Sequence, residues 1–225
     1  MNQLILGINI YNDKPALEKG LKTVMPYIDG AVVVDGAYPE YPMDGDHSTD
    51  GTIQFIDKTF REFKKQLWWI QFPDRKVEIQ KRTALLEYCD AHFDWSKTWL
   101  LIWDGDYELL PEKNKTFKDI EADFQILRNS NEYSMVYMYA DYDTPYEAER
   151  NRNRTYFGFH NCPNLMYKYN HFSIFEKATE REVKAAYPSI TLDNTRLLHN
   201  HLVKTQNRLD ARSYFASNIS RKYEV

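Results

Sequence analysis

Two aspartates flank a single glycine at the end of an apolar run, in the segment Leu101 to Tyr107 (LIWDGDY). Carboxylates this close together raise each other's pKa, so a buried pair destabilises the fold unless a cation or a proton relieves the repulsion. Oxygen ligands favour a hard ion, Mg²⁺ or Mn²⁺, whose coordination is often completed by the phosphates of a substrate. A turn explains one of the aspartates but not both. Asp104 and Asp106 are therefore predicted metal ligands, and the pattern indicates a diphosphate substrate.

Two histidines late in the chain, His199 and His201, offer imidazole groups of a kind that Mn²⁺ accepts. In an extended segment their side chains point to the same side, whereas in a helix they diverge. The alternative is that each is an ordinary hydrogen-bonded core or surface group. His199 is the better candidate ligand because it directly follows an apolar pair, Leu197-Leu198.

The elements that must position these groups follow an alternating pattern in the first half of the chain. Short apolar runs predict strands, and amphipathic segments between them predict helices. The predicted strands cover 4–11, 31–34, 67–72 and 99–103. Two predicted helices begin near 14 and 52, and a third spans 77–93. This alternation predicts an α/β fold with a central, mostly parallel sheet and helices on both faces.

In such a sheet, ligands bind beyond the carboxyl ends of the strands. Asp13, Asp35 and the Asp104–Asp106 pair each follow a predicted strand, so we expect them along one edge. A structural alternative stays open for several of these residues. Asp13 and Asp50 suit helix caps, and Asp35 suits a turn.

The second half of the chain has weaker patterns. Residues 114–129 predict a helix, 133–143 and 166–175 predict strands, and 205–223 predict a terminal helix. A small antiparallel region is also expected in this half. Arginines at 150, 152 and 154 lie among aromatic residues, which suits an anionic ligand, although such aromatics more often pack in a core.

Composition limits the class of protein. A chain of 225 residues with 43% apolar content predicts one domain over 1–225, with halves of about 1–110 and 111–225. A formal charge of −4 argues against a general nucleic-acid binder. We find no apolar run long enough to span a membrane and no secretion signal, so a cytoplasmic protein is expected. Cys89 and Cys162 form no metal pattern and are expected to be reduced thiols.

Four ordered segments resemble glycosyltransferase family 2 and its relatives of the GT-A (Rossmann-like) fold. They are GINIYNDKPALEKGLKTV, VVVDG, STDGT and KRTALLEYCDAHFDWSKTWLLIWDGDYEL, and they cover about residues 4–110. The resemblance implies transfer of a sugar from a nucleoside-diphosphate sugar, of the UDP or GDP type, with Mn²⁺ or Mg²⁺ as the cofactor. A hexosyltransferase is the expected class of enzyme. The resemblance also implies that the second half, about 111–225 with its small antiparallel region, faces the acceptor, and the arginines at 150, 152 and 154 suit an anionic acceptor.

The resemblance also implies roles for individual residues. Asp35 matches an aspartate that contacts the base or ribose, and Asp104 and Asp106 match the metal-binding DxD pair. Arg82, with Lys81 beside it, matches a basic position that faces the diphosphate, although a solvated helix face remains the alternative. The nucleoside pocket is expected to be lined by Asn9, Ile10 and Tyr11. Relatives also place a histidine after the acceptor region as a further metal ligand, which suits His199 or His201.

Three features depart from the family pattern. An insertion at 37–47 separates Asp35-Gly36 from STDGT, and it suits either a lid or a rigid surface loop. Tyr107 follows the DxD pair where an acidic residue is frequent, and Thr83 stands where many relatives have asparagine. A general base is not identifiable among the acidic candidates of the second half, which are Asp141, Asp143, Glu176, Glu180 and Glu182.

These observations predict a metal-dependent glycosyltransferase with an unidentified acceptor. The main alternative is a catalytically silent nucleotide- or carbohydrate-binding protein of the same fold. A sugar-phosphate nucleotidyltransferase is less consistent with the sequence, because it would need a glycine-rich phosphate loop after the first strand, and GINIYNDK has a single glycine, Gly7.

Overall fold

A computed structural model describes residues 1–39, 45–76, 78–142, 153–160 and 188–200, with the backbone alone at 78, 79, 142 and 153–156. The strands are β1 (Gln3–Ile10), β2 (Gly30–Asp35), β3 (Gln66–Gln71), β4 (Thr98–Asp104), β5 (Tyr107–Pro111), β6 (Met135–Tyr142), β7 (Asn153–His160) and β8 (Ser189–His199). The helices are α1 (Lys14–Val24), α2 (Thr52–Glu62), α3 (Glu78–His92) and α4 (Phe117–Asn129).

All of these strands belong to one eight-stranded sheet with the order β3-β2-β1-β4-β7-β6-β8-β5. The first four in this order are mutually parallel, as expected for strands joined by helical crossovers. Strand β7 runs antiparallel to both β4 and β6, and β5 runs antiparallel to β8, while β6 and β8 are parallel. The predicted α/β class, with a mostly parallel sheet and an antiparallel region beside it, is confirmed.

Helices cover both faces of the sheet because the strand residues alternate between two cores. On one face, Leu6 and Ile8 of β1 share a core with Leu17 of α1 and Phe124 of α4. On the other face, Ile5 shares a core with Leu85, Leu86 and Cys89 of α3. The central strands are buried on both sides, which explains why they appear in the sequence as continuous apolar runs.

The predicted strands of the first half differ from the observed ones by one residue at each end. Strand β6 confirms the strand predicted over 133–143, and α4 confirms a helix within 114–129. Strands β5, β7 and β8 were not predicted. Strand β7 begins with the polar sequence Asn-Arg-Thr, yet it lies between β4 and β6 and is paired on both sides. The predicted strand at 166–175 and the terminal helix at 205–223 lie outside the described residues.

Candidate metal centre at the carboxyl ends of the strands

The register of the parallel strands brings separate segments to one edge of the sheet. Asn9 of β1 pairs with Asp104 of β4, and Ile10 pairs with Asp35 of β2. The residues that follow β1, β2 and β4 are therefore neighbours in space, although they are far apart in sequence. The predicted gathering of polar groups at this edge is observed for the described residues.

A tight turn at Asp104-Gly105-Asp106 connects β4 to β5 and packs against the start of α1. A Cβ atom on Gly105 would lie 3.0 Å from Cβ of Asp13 and 3.3 Å from its Oδ2, so glycine is the residue that fits this contact. The Asp13 Oδ2 also accepts a hydrogen bond of 3.0 Å from the Tyr11 amide. Asp106 is 3% exposed. The second carboxylate of the pair is thus held inside the protein rather than on its surface.

Strand pairing brings a histidine to this turn. Tyr107, the first residue of β5, pairs with His199, the last residue of β8, and their ring centroids lie 4.5 Å apart. The Nε2 atom of His199 lies 3.5 Å from Oδ1 of Asp106. Side-chain ligand atoms of Asp104, Asp106 and His199 all lie within 4.8 Å of one another. His201 lies outside the described residues, so the structure brings one of the two candidate histidines to the acidic pair.

The convergence of two carboxylates and one imidazole fits a divalent metal ion. The carboxylate oxygens suit Mg²⁺ and Mn²⁺ alike, while the imidazole is a ligand that Mn²⁺ accepts more readily. Two anionic groups with little exposure also have a reason to bind a cation, because their mutual repulsion is then relieved. The donor set is therefore chemically suited to the predicted cofactor.

Tyr107 supports the acidic pair with its hydroxyl group. Burial is the main cause that raises the pKa of Tyr107, and the neighbouring charges of Asp104 and Asp106 raise it further, while Arg82 acts in the opposite direction. The phenol therefore stays protonated and donates a hydrogen bond to Asp104. In the sequence, Tyr107 was only a departure from the family pattern, and its role as a donor to Asp104 was missed.

Two consecutive basic residues of α3 serve different parts of this edge. Lys81 is 1% exposed, its ammonium group donates to the Gly36 carbonyl, and it lies 4.4 Å from the centre of the Tyr38 ring. The alternative that Lys81 belongs to a solvated helix face is therefore wrong. Arg82 is partly buried and acts electrostatically on Tyr107. Arg82 thus acts on Tyr107, the residue that follows the acidic pair, and Lys81 lies beside the segment that follows β2.

Asp35 is fully buried beneath the segment that precedes α2. Its carboxylate accepts hydrogen bonds from the Ser48 amide (3.1 Å) and the Ser48 hydroxyl (2.6 Å), and it lies 3.4 Å from Nδ1 of His47. The Asn12 amide donates to the Ser48 hydroxyl (2.8 Å), and the Asn12 side-chain oxygen accepts from the Thr49 amide (2.8 Å). These contacts attach 47–49 to the ends of β1 and β2, and we call them the Asp35 clasp.

Asp50 has the capping role predicted as one alternative. Its Oδ1 accepts hydrogen bonds from the amide (3.0 Å) and hydroxyl (2.6 Å) of Thr52, the first residue of α2. Its Oδ2 accepts from the Lys14 amide at the start of α1. A single carboxylate therefore binds both helix starts, where exposed backbone N–H groups favour an anion.

The described ends of the 37–47 insertion are fastened to the sheet edge. Asp46 accepts from Arg75 Nε (2.9 Å) and, through its carbonyl, from the Ala37 amide (2.9 Å). The Tyr11 hydroxyl donates to the Gly45 carbonyl at 3.2 Å. Of the two interpretations of this insertion, these contacts favour a rigid surface loop for its described part.

The predicted nucleoside-pocket residues differ in exposure. Asn9 is partly buried beside Asp104, whereas Ile10 and Tyr11 are 2% and 1% exposed. The Ile10 side chain belongs to the core, so this residue offers a ligand its backbone alone. Asp141, the described candidate for the general base, forms an ion pair with Arg196. Asp143, Glu176, Glu180 and Glu182 lie outside the described residues.

Comparisons with known proteins find matches among solved structures alone. No protein-family profile and no curated protein matches the chain. A mannosyltransferase from Pyrobaculum calidifontis, solved with GDP-Man and Mn²⁺, is 15% identical with a TM-score of 0.53 over 88% of this chain and 56% of its own. GalNAc-T7, solved with UDP, GalNAc and Mn²⁺, is 10% identical with a TM-score of 0.51 over 92% of this chain and 45% of its own.

A third match, S. aureus TarS, has 19% identity and a TM-score of 0.42 over 63% of this chain and 36% of its own. The chain therefore spans between about a third and just over half the length of these solved structures. Within the described part of the chain, no helix has the length and apolar character needed to cross a bilayer. On the strand order, the two-sided helical layers and the two longer matches, this chain has the GT-A fold.

Proposed function

We propose that this protein is a metal-dependent glycosyltransferase that moves a sugar from a nucleoside-diphosphate sugar to an acceptor. The observation that carries the proposal is the convergence of Asp104, Asp106 and His199 within 4.8 Å at the carboxyl end of β4. This is the edge at which open α/β sheets bind their ligands. The two solved structures with TM-scores above 0.5 carry Mn²⁺ and nucleotide ligands, which supports the same chemistry here.

In this proposal, Asp106 and His199 would hold the ion directly, and Asp104 would join them, act through a water molecule or hold the ribose. A divalent ion held by these residues would supply positive charge against the charge that develops on the departing nucleoside diphosphate. Tyr107 keeps the Asp104 carboxylate oriented by hydrogen bonding to it. Arg82, which acts on the same tyrosine, supplies a fixed positive charge toward the diphosphate. No covalent intermediate on the protein is required by this set of groups.

The nucleoside is proposed to bind along the ends of β1 and β2. Asn9 is the predicted pocket residue that is both partly exposed and paired with Asp104. Asp35 already accepts hydrogen bonds from Ser48, so its proposed contact with the base or ribose requires those bonds to be shared or exchanged. Lys81 is proposed to hold the Gly36 carbonyl in place at this side of the pocket.

Calorimetry with UDP and with GDP, each with and without Mn²⁺, tests the proposal. We expect one nucleotide to bind more tightly when Mn²⁺ is present, because an ion held by the carboxylates would attract the diphosphate. Nucleotide affinity that is the same with and without Mn²⁺ would contradict the proposed metal centre and favour a catalytically silent binding protein. The preferred donor can then be found by thermal shift, since a ligand at 100 times its Kd stabilises the fold by about 2.7 kcal/mol.

Turnover separates a transferase from a silent binding protein of the same fold. When no acceptor is present, water can take its place, so Mn²⁺-dependent release of sugar from the donor found above is the expected result. An Asp106→Asn variant provides the control, because it removes one proposed ligand with little change in side-chain size. Equal hydrolysis by both proteins would contradict the assigned site.

Two coarser predictions also await direct tests. If residues 1–225 form a single domain, calorimetry should record one cooperative unfolding transition. The cytoplasmic location is tested by fractionation of cells that express the protein. Neither result bears on the metal centre.

A further inference from the structure

Helix α1 packs directly against β5, the strand that follows the Asp104-Gly105-Asp106 turn, which we call the acidic turn. A Cβ atom on Gly20 would lie 1.7 Å from the Tyr107 carbonyl oxygen, so the helix backbone touches the strand backbone there. One turn further on, the Thr23 hydroxyl accepts a hydrogen bond of 2.8 Å from the Leu109 amide. The strand that begins after Asp106 is therefore held against α1 by backbone contact as well as by side chains.

Asn200 joins this assembly to the end of β8. It is 0% exposed, and its amide donates a hydrogen bond of 2.8 Å to the Asp106 carbonyl. Its side-chain Nδ2 donates to Oε2 of Glu108 at 3.1 Å, and its Oδ1 accepts from the Lys19 ammonium group. The Lys19 ammonium also lies 3.8 Å from Oε2 of Glu108. Both ends of the buried carboxamide are thus paired.

We infer that Asn200 is a positioning residue for the metal centre. It directly follows His199, so its anchored side chain determines where the imidazole lies relative to Asp106. Its backbone bond to the Asp106 carbonyl ties the acidic turn and the histidine to the same point. Groups that orient metal ligands from behind are typically worth 10–100-fold in metal affinity. This inference rests on the proposed function, since it assumes that the Asp104–Asp106–His199 cluster binds a metal ion.

The test is the Kd of the full chain for Mn²⁺ alone, measured by the EPR signal of the free ion. Asn200→Asp replaces the Nδ2 donor with a carboxylate oxygen facing Glu108, so repulsion displaces the chain beside His199. We expect the affinity for Mn²⁺ to fall by about 10–100-fold. In the double variant Asn200→Asp/Glu108→Gln, the amide introduced at position 108 donates to the carboxylate introduced at position 200. The affinity is then expected to recover to within a few-fold of the original protein.

Two lysines of α1 provide a matched pair for variants that keep the core intact. Lys19 and Lys22 are similarly exposed (44% and 50%) and each contacts a glutamate, but of the two the described contacts join Lys19 to Asn200. Lys19→Met is expected to weaken Mn²⁺ binding several-fold, and Lys22→Met to leave it unchanged.

The outcomes distinguish this inference from the proposed function. If the unaltered protein does not bind Mn²⁺, the proposed metal centre fails, and the inference fails with it. If the unaltered protein binds Mn²⁺ but Asn200→Asp binds equally well, the positioning role alone is overturned. A double variant no better than Asn200→Asp, in a protein that remains folded by circular dichroism, overturns it as well. A purely structural role would lower the melting temperature without changing the affinity of the folded protein.

Discussion

Two polar clusters, the Asp35 clasp and the proposed metal centre, lie at the same edge of the sheet and differ in their number of carboxylates. In the Asp35 clasp, a single buried carboxylate accepts hydrogen bonds from the amide and hydroxyl of Ser48 and lies 3.4 Å from Nδ1 of His47. In the proposed metal centre, Asp106 also lies near an imidazole, 3.5 Å from His199, but it shares its surroundings with a second carboxylate, Asp104. Neutral donors stabilise a carboxylate without any ion, whereas clustered carboxylates gain most from a cation. The comparison shows that a strand-end aspartate acquires its role from the groups that the fold brings to it.

Substitution of Asp106 should have the largest effect on function. In Asp106→Asn we expect Mn²⁺-dependent transfer or donor hydrolysis to fall by at least about 10²-fold, because one ligand of the charge-neutralising site is lost. The melting temperature should stay equal or rise, since the repulsion between the two aspartates is relieved. Steady-state kinetics and thermal unfolding without metal measure the two effects. Asp57→Asn in α2 is a control with the same change of charge outside the cluster. If Asp106→Asn lost stability but kept full activity, Asp106 would have a structural role like that proposed for Asp35, and the distinction between the two clusters would be wrong.

Substitution of Asp35 should have the opposite pattern of effects, with a loss of stability and little change in Mn²⁺ binding. Asp35→Ala removes the acceptor of the Ser48 amide and hydroxyl within a fully buried site, so a loss of about 3 kcal/mol in unfolding free energy is expected. The affinity of the folded variant for Mn²⁺ alone should change little, because Asp35 is not among the clustered ligands. Urea unfolding and Mn²⁺ titration test both statements. If Asp35→Ala weakens Mn²⁺ binding as much as Asp106→Asn does, the two clusters form one site and the distinction is lost.

Gly20 of α1 packs against β5 next to the proposed metal centre, so its substitution tests whether backbone packing supports that site. Gly to Ala inside a helix normally stabilises a protein by up to about 1 kcal/mol. At Gly20 the added methyl group meets the Tyr107 carbonyl, so Gly20→Ala should instead destabilise the fold by about 1–3 kcal/mol. It should also weaken Mn²⁺ binding, since β5 moves relative to Asp106. An increase in melting temperature would show that α1 and β5 are not in backbone contact.

The pH dependence of stability should arise in part outside both clusters, at His160 of β7. This buried imidazole stacks on Trp99 with ring centroids 5.0 Å apart, and burial lowers its pKa in the folded state. The unfolded chain then takes up a proton first, so stability is full above the unfolded pKa of about 6.5 and falls as the pH decreases through it. His160→Phe keeps an aromatic ring on Trp99 but cannot titrate. Its melting temperature should fall by roughly 1–3 °C less than that of the original protein between pH 7.5 and 5.5. Parallel curves for the two proteins would assign the pH dependence to other groups.

Much of the parallel half was predictable because its signals are local. The apolar runs of β1, β2 and β4 are buried on both faces, and each is followed by a polar residue at the carboxyl end. Strands of this kind, separated by amphipathic helices, permit few topologies, and all of them align the strand ends at one edge. The acidic pair around Gly105 was identifiable for the same reason, since two carboxylates after a buried run need compensation.

The antiparallel half was harder to predict because its strands depend on partners distant in sequence. Strand β7 has a polar start and acquires its place by pairing with β4 and β6. Strand β5 has five residues and is held by β8 and α1 rather than by its own pattern. Local propensity is weak in such segments, and tertiary contacts decide their structure.

The sequence by itself determined the α/β class, the edge at which polar groups collect and the identity of the acidic pair, because these depend on periodicity and on residue type. The tertiary structure alone decided which other groups meet that pair. It brought His199 to Asp106 through the pairing of β5 with β8, and it buried Asn200 between Lys19 and Glu108. It also placed the Ser48 hydroxyl as a hydrogen-bond donor to the Asp35 carboxylate. The sequence marked His199 as one of two candidate ligands, but contacts between residues far apart in the chain set all of these pairings, and no local pattern placed Asn200 or Ser48 beside their partners.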